Sequence, residues 1–541
     1  MTDTIPIDAF RIILALLPIA TLVILLLGLN WSAPEAGAMG VFVALAAALI
    51  GYRTPLQTIT VASAKGVWDA VFILYVVWPA LWLYHISARA GAFNALRQGI
   101  MQFSRNELLL VLVFGWVFVS FLQGITGFGT PIAMVVPLLV ALGVRPLFAV
   151  AAPLVGHAWG NMLGTLALAW LATLQVISLD ATETAQAAFQ ISLLLILPNL
   201  FAGLTVAWMH SRWRGVRYAL PMILVISAAH GGIQTLLAAN NTVLSNFTAV
   251  TVGFALLIPL SRWSRYREPL PYEDNHMMQS HNVDTVEETP PSMGLVAALL
   301  PYIVLMVTAL VVLIPEAVNS ILSSWRVGLP FPAVTTGFDL VREAENPYAP
   351  FAPLTHPGSF LLLSGIVTYI VYRGRGLIQR EAEQPPILTD LVRDAVPSSL
   401  AIVFFLILSK IMDHSGQTLV LAQGIAAVVP ANVYPAVAPS LGVLGAFMTS
   451  SNTASNVLFA PVQQTIATLA GLPVSTIIAA QGAGAAVGNA IAPANIVLGT
   501  GPAGILGEEG KVMREAMPYA IIGTVFVGLG AWLLVAFIAG G

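Results

Sequence analysis

Apolar stretches of about 20 residues recur along this chain, and a helix needs that length to cross the hydrocarbon core of a bilayer. The first stretch, Phe10 to Leu29, follows no basic segment, so it is interpreted as a retained helix rather than as a signal peptide. In the whole chain 58% of the residues are hydrophobic and 9% are charged, whereas a soluble domain carries about 25% charged residues. No soluble fold could bury this much apolar surface, so the sequence predicts a protein whose solvent is the lipid bilayer.

The apolar stretches are unbroken instead of alternating, which indicates helices rather than the strands of a barrel. The chain is therefore predicted to be an all-α integral membrane protein of the cell membrane that crosses the bilayer about 12 to 14 times. Some stretches are long enough to be broken or paired. The candidate spans are residues 10–29, 37–52, 67–87, 108–123, 147–178, 188–209, 218–237, 245–260, 293–314, 357–372, 395–412, 417–448, 474–500 and 516–538.

Basic residues concentrate in three loops, 212–217, 262–292 and 373–393, and two candidate spans separate each loop from the next. The three loops therefore lie on one side of the membrane, which the positive-inside rule assigns to the cytoplasm. The loop 315–356 carries few basic residues, so it is expected on the opposite side.

The loop 262–292 is the longest polar stretch, and it is interpreted as a cytoplasmic linker between two halves, 1–261 and 293–541. The halves share a faint repeat at an offset of 328 residues, which aligns the Gly-Asn pair at 160–161 with the pair at 488–489. The same offset aligns Gly143 with Gly471, each just ahead of a proline, and Gly124 with Asn452. Two related halves with corresponding interrupted helices are typical of an alternating-access transporter.

The segment Gln123-Gly-Ile-Thr-Gly-Phe-Gly-Thr-Pro131 precedes an apolar run, 131–142, that is too short to cross a membrane alone. Thr130 followed by Pro131 predicts a helix start, with a hydroxyl N-cap and a proline at the first helical position. A helix N-terminus inside the membrane, beside uncovered backbone amides, can bind a carboxylate. The alternative is a glycine-rich kink packed against a neighbouring helix. The predicted substrate-binding residues of this segment are Gln123, Gly124, Thr126, Gly127, Gly129 and Thr130.

A second polar segment, Thr449-Ser-Ser-Asn-Thr-Ala-Ser-Asn456, has seven hydroxyl or amide side chains among eight residues, within apolar sequence. Lipid would penalise each unsatisfied polar group, so a cluster this dense is expected to line a cavity inside the protein. There its donors can hold a carboxylate, or its oxygens can coordinate a cation. The alternative is a set of hydroxyls that bond back to their own helix. The predicted substrate-binding residues here are Ser450, Ser451, Asn452, Thr453, Ser455 and Asn456.

Single polar residues in apolar surroundings carry weaker signals. A histidine can carry a proton near neutral pH, although in an apolar helix it is more often a packing residue. Lys410 and Asp413 lie three residues apart at the end of a span, so they could form an ion pair or a coupling site. The sequence favours a third interpretation, an interfacial snorkel, in which the charged side chain extends to the membrane surface. Asp69, His85 and His230 are interpreted as packing residues. The candidates for coupling or for lining the cavity are His157, Asn161, Asn489, Asn495, Lys410 and Asp413.

Several classes of function are excluded or disfavoured by composition and motifs. There is no cysteine, so disulfides, thiol chemistry and Cys-ligated metal sites are excluded. The net charge of −3 gives no basic excess for nucleic acid. The chain has no His-Glu-x-x-His, no Gly-x-Ser-x-Gly and no paired carboxylates within a span, so neither an enzyme nor a cofactor or metal site is expected. A channel stays open as an alternative that would show conductance without coupling.

Several segments resemble the L-lactate permease family, and the likeness extends over most of the chain. The matching segments, in order, are Trp78-Pro-Ala-Leu-Trp82, Tyr84-His-Ile-Ser87, Phe121-Leu-Gln-Gly-Ile-Thr-Gly-Phe-Gly-Thr-Pro131, Leu441-Gly-Val-Leu-Gly445, Ser451-Asn-Thr-Ala-Ser-Asn456 and the stretch 484–511. The resemblance implies a permease that brings lactate, and often glycolate, into the cell with a proton. It also implies two inverted repeats, each with a re-entrant hairpin, here near 108–142 and 441–470, whose tips meet at the substrate. Analogy with the wider superfamily makes a homodimer plausible.

The chain departs from the family at two positions. Family members commonly have an acidic residue where this chain has Gln123, and another where it has Asn452. A buried carboxylate can carry a proton and an amide cannot, so His157 could take that role, or the coupling ion could be Na⁺. The expected function is symport of a small organic anion, above all a 2-hydroxy monocarboxylate such as L-lactate or glycolate. A dicarboxylate or a sulfonate is the alternative substrate.

Overall fold

A computed structural model describes most of the chain: residues 5–29, 31–101, 104, 106–127, 129–270, 275–279, 293–336, 338, 341–378 and 385–540. Most of the predicted linker 262–292 lies outside the described residues, which include only its parts 262–270 and 275–279.

Helices make up most of this structure. The helices before the linker and at its start are α1 (Ala9–Val23), α2 (Ala33–Ile50), α3 (Leu56–Arg89), α4 (Ala92–Met101), α5 (Glu107–Leu112), α6 (Val119–Gln123), α7 (Thr130–Ala141), α8 (Pro146–Ala158), α9 (Gly164–Leu174), α10 (Ala181–Leu194), α11 (Ile196–Ala238), α12 (Thr242–Ala255), α13 (Leu257–Arg262) and α14 (Ser264–Arg267), the last of which lies within the predicted linker. The helices after it are α15 (Leu295–Ala298), α16 (Leu300–Leu313), α17 (Glu316–Ser323), α18 (Pro357–Gly374), α19 (Ile387–Ser415), α20 (Gln417–Val428), α21 (Tyr434–Thr449), α22 (Asn452–Leu469), α23 (Val474–Gly488), α24 (Pro493–Thr500) and α25 (Glu509–Gly540). Four short segments continue or join these helices: two π-helical (Ile24–Gly28, Val113–Phe118) and two 3₁₀ (Pro353–Thr355, Asn489–Ile491).

The prediction of an all-α protein missed four short strands in the loop after α17. The strands β1 (Val327–Phe331) and β4 (Glu345–Phe351) pair antiparallel, and so do β2 (Val334–Thr335) and β3 (Val341–Arg342). They lie against α3, where the Trp68 indole donates to the backbone carbonyl of a β4 residue at 3.4 Å. This loop is too polar and too rich in proline to be helical, and its backbone groups are satisfied by pairing with each other.

Eight helices of the described chain are long and apolar enough to cross a membrane, or nine if the bent pair α16 and α17 is one span. The two members of that pair meet at 87°. The sequence prediction of 12 to 14 crossings is higher because it counted short helices as full spans, and because it counted two spans, 188–209 and 218–237, in the 58-residue stretch Ala181–Ala238 that is taken here as one. Six helical segments of 10–17 residues are apolar but too short by this measure: 107–123, 130–141, 146–158, 164–174, 417–428 and 434–449.

The short helices form two similar units. The first is a hairpin of α5–α6 and α7, followed by the broken helix α8–α9, and the second is a hairpin of α21 and α22, followed by the broken helix α23–α24. In the first, α7 ends before Gly143, whose φ is +93°, and α8 begins three residues later. In the second, α22 ends before Gly471, whose φ is +64°, and α23 again begins three residues later. Both glycines take the left-handed conformation that glycine adopts without strain. The offset of 328 residues thus relates two positions with the same backbone role.

The broken helices approach the first arms of the hairpins backbone to backbone. A Cβ at Gly156 of α8 would lie 1.9 Å from the carbonyl oxygen of Gly115, in the first hairpin. A Cβ at Gly484 of α23 would lie 2.2 Å from the carbonyl oxygen of Pro439, in the second. The two glycines are again 328 residues apart. Small residues that let helix backbones approach closely are typical of packing in membranes.

The two hairpins enter the molecule from opposite ends of the α8–α9 broken helix. The first hairpin has its open end at the start of α8, where Gly143 accepts from the N–H of Gln279 at 2.8 Å and Arg145 donates to Met277 at 2.8 Å. The second has its open end beyond α9, where the Gln464 side chain accepts from the N–H of Ser178 at 3.3 Å. The tips of both hairpins therefore lie in the middle of the helix bundle.

Substituting Gly156 or Gly484 by Val is expected to destabilise the fold, since backbone atoms at about 2 Å cannot move aside as a side chain can. Overpacking typically costs about 1–3 kcal/mol. Gly232→Val is the matched control, because no atom lies within 4 Å of a Cβ at this helical position. Thermal unfolding of the detergent-solubilised variants tests this, and equal midpoints for all three would contradict the close approach.

Candidate functional site

A small polar cavity of about 70 Å³ lies where the two hairpin tips meet the breaks in the two broken helices. Its lining is almost entirely hydroxyl, amide, glycine and histidine, and among the described residues that line it there is no Lys, Arg, Asp or Glu. The residues that line it are Gln123, Gly127, Gly129, His157, Asn161, Gly164, Thr165, Leu168, Ala169, Ser450, Ser451, Asn452, Thr453, Asn489 and Asn495.

The tip of the first hairpin is formed by residues 124–129, between α6 and α7. Thr130 was predicted as the N-cap of α7, but it is the first helical residue, and Gly129 is the N-cap with a φ of +75°. The reason is conformational, because Gly129 takes a left-handed turn there that threonine would resist. The N–H of Thr130 donates to Gly127 at 3.2 Å, so this amide at the start of the helix is satisfied locally. This tip presents Gln123, Gly127 and Gly129 to the cavity.

The tip of the second hairpin has the N-terminus of α22 directed at the cavity. Ser451 is the N-cap, and its hydroxyl accepts from the N–H of Ala454 at 3.2 Å. Asn452 and Thr453, the first two residues of the helix, line the cavity. The positive end of an 18-residue helix therefore faces the cavity, where it favours a negative charge.

Two amide donors of the lining have no partner among the described residues: Nδ2 of Asn452 and Nδ2 of Asn161. The orientation of the Asn452 amide follows from its neighbour. Asn456 Nδ2 donates at 2.9 Å to the backbone carbonyl of Asn452, which can only accept, and the same Nδ2 also contacts Asn452 Oδ1. The Asn452 amide nitrogen is thereby left free. A buried unsatisfied donor costs about 1–3 kcal/mol, which an acceptor in the cavity would offset.

The break in the first broken helix contains a turn that no sequence pattern indicated. Thr165, Leu166 and Ala167 have φ values of +49°, +54° and +62°. Each left-handed non-glycine residue costs on the order of 1–2 kcal/mol, and such strain clusters at functional sites. Contacts with the first hairpin hold the turn, since the N–H of Leu166 donates to Gly124 at 3.2 Å and the Thr165 hydroxyl to Gln123 at 3.4 Å. Thr165 is thus a cavity residue that sequence reasoning missed.

The break in the second broken helix is held by two asparagines. Asn495 Nδ2 contacts Asn489 Oδ1 and donates at 3.4 Å to the Asn489 carbonyl, so the two amides bridge the 3₁₀ turn. This break also touches both hairpin tips. The Ser450 hydroxyl accepts from the N–H of Ala494 at 3.0 Å, and a Cβ at Gly129 would lie 3.3 Å from Asn495 Oδ1.

His157 lines the cavity at the end of α8. Its Nδ1 lies 2.8 Å from the carbonyl oxygen of Pro153, and because a carbonyl only accepts, Nδ1 carries the hydrogen. Nε2 is then the ring atom that can take up a further proton.

Five of the predicted substrate-binding residues lie beside the cavity lining and support it. The Thr126 hydroxyl bonds back to Leu122 at 3.0 Å, which is the alternative that the sequence left open. The Ser455 hydroxyl donates at 2.8 Å to Gly442 and so joins the two arms of the second hairpin. Asn456 contacts Met162 at 3.4 Å, in the first broken helix. The other two are Gly124 and Thr130, whose backbone contacts are described above.

Lys410 and Asp413 do not line the cavity and do not pair with each other. The predicted snorkel is wrong for Lys410, whose Nζ is buried 3.0 Å from Asp69 Oδ2 of α3. Asp413 instead pairs with Arg342 of β3 at 2.9 Å. These partners lie far away in the sequence, so no local pattern could indicate them.

Comparison with known proteins shows the family of this chain. The sequence pattern of the L-lactate permease family matches residues 11–538. The chain belongs to that family. The resemblance stated from the motifs is thereby confirmed.

Relatives of known name cover nearly the whole chain. An L-lactate permease of Escherichia coli strain K12 is 25% identical over 96% of this chain and 94% of its own length. The glycolate permease GlcA of the same strain is 24% identical, with the same coverage. An L-lactate permease of Halalkalibacterium halodurans is 26% identical over 87% of this chain and 86% of its own. Among solved structures, the YdaH transporter of Alcanivorax borkumensis is similar with a TM-score of 0.43 and 15% identity, over 87% of this chain and 86% of that one.

Family membership and the membrane spans establish the broad function. The chain is a multi-pass protein of the cell membrane, and it is a transporter rather than an enzyme.

The first hairpin tip depends on glycine at position 129. Gly129→Ala places a methyl group 2.2 Å from Leu498 Cδ1 at a φ of +75°, so it is expected to destabilise the fold by the roughly 1–2 kcal/mol of a left-handed residue and by a smaller amount for the shift of the movable end of Leu498. Gly471→Ala is the control, with a φ of +64° and open space around the new methyl group. Thermal unfolding midpoints measure both. The double variant Gly129→Ala/Leu498→Ala should recover part of the loss, and equal loss in both single variants would contradict the contact.

Proposed function

We propose that this protein is a secondary active symporter that imports a small organic anion, best matched by L-lactate or a related 2-hydroxy monocarboxylate such as glycolate. The coupling cation is a proton, with sodium as the alternative. The observation that carries the proposal is the polar cavity between the hairpin tips, with its two unpartnered amide donors at Asn161 and Asn452.

The size of the cavity suits a molecule as small as lactate. A cavity that holds one water molecule has a volume of about 10–15 Å³, and this cavity has a volume of about 70 Å³. It therefore accommodates roughly six non-hydrogen atoms, the number in lactate. The relatives that are named for what they carry are L-lactate and glycolate permeases.

The chemistry of the lining suits one carboxylate. The free amide donors and the N-terminus of α22 can hold a single negative charge by dipoles. The hydroxyls of Thr165, Ser450 and Ser451 offer partners for a 2-hydroxy group. A dicarboxylate would bring a second negative charge, and the lining has no Lys or Arg to meet it. This favours a monocarboxylate over a dicarboxylate.

The two units support alternating access over a simple channel. We propose two inverted repeats, 1–261 and 293–541, which the linker 262–292 joins and which together make 12 to 14 crossings when half-length helices are counted. The entry of the hairpins from opposite ends of α8–α9 supports the inversion. Alternating-access carriers typically have a substrate site between two related repeats, which is reached from one side of the membrane or from the other. A homodimer stays a prediction by analogy.

Uptake of radiolabelled L-lactate into proteoliposomes tests the proposal. We expect accumulation that an inward proton gradient drives and that unlabelled glycolate inhibits. Succinate and a small sulfonate serve as competitors that should inhibit weakly. Uptake driven only by a sodium gradient would indicate that sodium, rather than a proton, is the coupling ion. The absence of uptake under either gradient would contradict the transport of lactate. Ion currents without accumulation would indicate a channel.

The variants Asn161→Ala and Asn452→Ala are expected to weaken L-lactate binding by about tenfold or more, since each removes a donor worth roughly 1–3 kcal/mol to a charged acceptor. Asn246→Ala is the matched control, because this buried asparagine of α12 pairs with Gln234 at 2.8 Å and does not line the cavity. Equilibrium binding to the purified protein measures the effect. Wild-type affinity in both test variants would contradict the placement of the substrate.

A further inference from the structure

A buried charged cluster lies outside the cavity, between α3, α19 and the strands. Lys410 Nζ lies 3.0 Å from Asp69 Oδ2, and the Tyr348 hydroxyl donates to the same oxygen at 3.0 Å. Asp69 is fully buried, and its Oδ1 has no partner among the described residues. Lys65 of α3 pairs with Glu345 of β4 at 3.1 Å and completes the cluster. Two lysines and two carboxylates give it no net charge.

The cluster is hydrogen-bonded to α9 and is next to a residue that bonds to α22, and both helices supply residues to the cavity lining. Lys410 Nζ also donates at 2.7 Å to the carbonyl of Gln175, at the end of α9. The neighbouring residue, Ser409, donates at 2.8 Å to the carbonyl of Val457 in α22. Ala169 of α9 lines the cavity, and six residues of helix separate it from Gln175, a distance of about 9 Å. The charge on this cluster therefore acts on the cavity from close by, through protein rather than water.

We propose that Asp69 is the site of the coupling proton and that Lys410 transmits its charge state to the anion in the cavity. This inference rests on the proposed transport of a monocarboxylate. A proton from solution adds to the Asp69 carboxylate, and no other bond forms or breaks. Lys410 stays an ammonium, so the cluster gains one uncompensated positive charge.

The added charge couples proton binding to anion binding. Asp69 lies beyond Lys410 and Gln175 as seen from the cavity, so the separation is roughly 15 Å, and at an effective dielectric constant of about 20 one positive charge there changes the affinity for a monoanion by about five- to tenfold. By linkage, a bound anion raises the affinity of Asp69 for its proton by the same factor. The neutral amides Gln123 and Asn452 then need no proton of their own, because the carrier lies outside the cavity. The transported pair of anion and proton is electrically neutral.

Other charged groups near Asp69 must be considered, since each could titrate instead. Those that face it from the elements packed around it are Lys410 of α19, Tyr348 of β4 and Lys65 of α3. The next shell is Glu345, which pairs with Lys65, and the group at the end of α19 formed by Arg342, Asp413 and His414. Among these carboxylates Asp69 alone is fully buried, and Glu345 and Asp413 have side chains 46% and 36% exposed.

The test is L-lactate affinity of the purified protein between about pH 5.5 and 8, where a 2-hydroxy carboxylate stays ionised. Wild-type affinity should fall on the order of tenfold as pH rises and Asp69 loses its proton. Asp69→Asn imitates the protonated state, so it should keep the low-pH affinity at every pH. Asp69→Asn/Lys410→Gln removes both charges, so that no unpaired lysine stays buried. It should bind L-lactate more weakly than Asp69→Asn at every pH, again without pH dependence. Asp413→Asn, one helical turn from Lys410 in α19, is the control, and it should keep the wild-type dependence of L-lactate affinity on pH.

Two further readouts separate coupling from structural support. Because a tenfold coupling shifts the proton occupancy of Asp69 only in part, wild-type protein in weakly buffered solution should take up at most about half a proton per lactate bound, and the two Asp69 variants should take up none. In proteoliposomes, Asp69→Asn should exchange lactate for lactate but lose accumulation driven by a proton gradient. If Asp69→Asn keeps the pH profile, or if His157→Gln abolishes proton uptake while Asp69→Asn does not, the proposal is overturned. Wild-type protein that binds no 2-hydroxy monocarboxylate would overturn the proposed function and this inference together.

Discussion

The structure depends on one constraint: backbone polar groups cannot be left unsatisfied in lipid. A helix may therefore break at membrane depth only where protein surrounds the break. Within 474–500, the range that contains the break at Asn489, an 18-residue stretch has 94% of its residues buried, whereas only 28% are buried in the first span, 9–26. Both hairpin tips and both broken helices are gathered at the centre, and the continuous helices surround them. The same breaks that lipid would penalise supply the free polar groups of the cavity.

The electrostatic arrangement separates the anion from the charges. The described lining of the cavity offers neutral groups, among them the Asn161 and Asn452 amides, while the buried pair of Lys410 and Asp69 lies at the end of α9, where Lys410 donates to Gln175. A buried arginine in the cavity would bind a carboxylate tightly and release it slowly. Dipoles bind more weakly, and a charge that can be switched at a distance makes affinity depend on a second ligand. A carrier needs both properties, since its substrate must leave as well as enter.

Much of the site could be predicted because the bilayer makes polar residues conspicuous. The segments 123–130 and 449–456 stand out as glycine, hydroxyl and amide groups within apolar sequence, and both supply cavity residues. The details at the first tip were wrong, since the N-cap is Gly129 rather than Thr130. Thr165 could not have been found in this way, because its left-handed turn has no glycine to mark it and is held by contacts with the distant Gln123 and Gly124.

By itself, the sequence determined that this is a helical membrane transporter with two interrupted segments, because the hydropathy of each stretch and the backbone preferences of glycine and proline are local properties. Only the tertiary structure decided what those segments enclose and which charges are paired. Asp69 was interpreted as a packing residue and Lys410 as an interfacial one, and their contact joins α3 to α19. Such a pairing depends on which helices lie side by side in the bundle, and side-chain packing over the whole chain sets that, not the residues next to either charge.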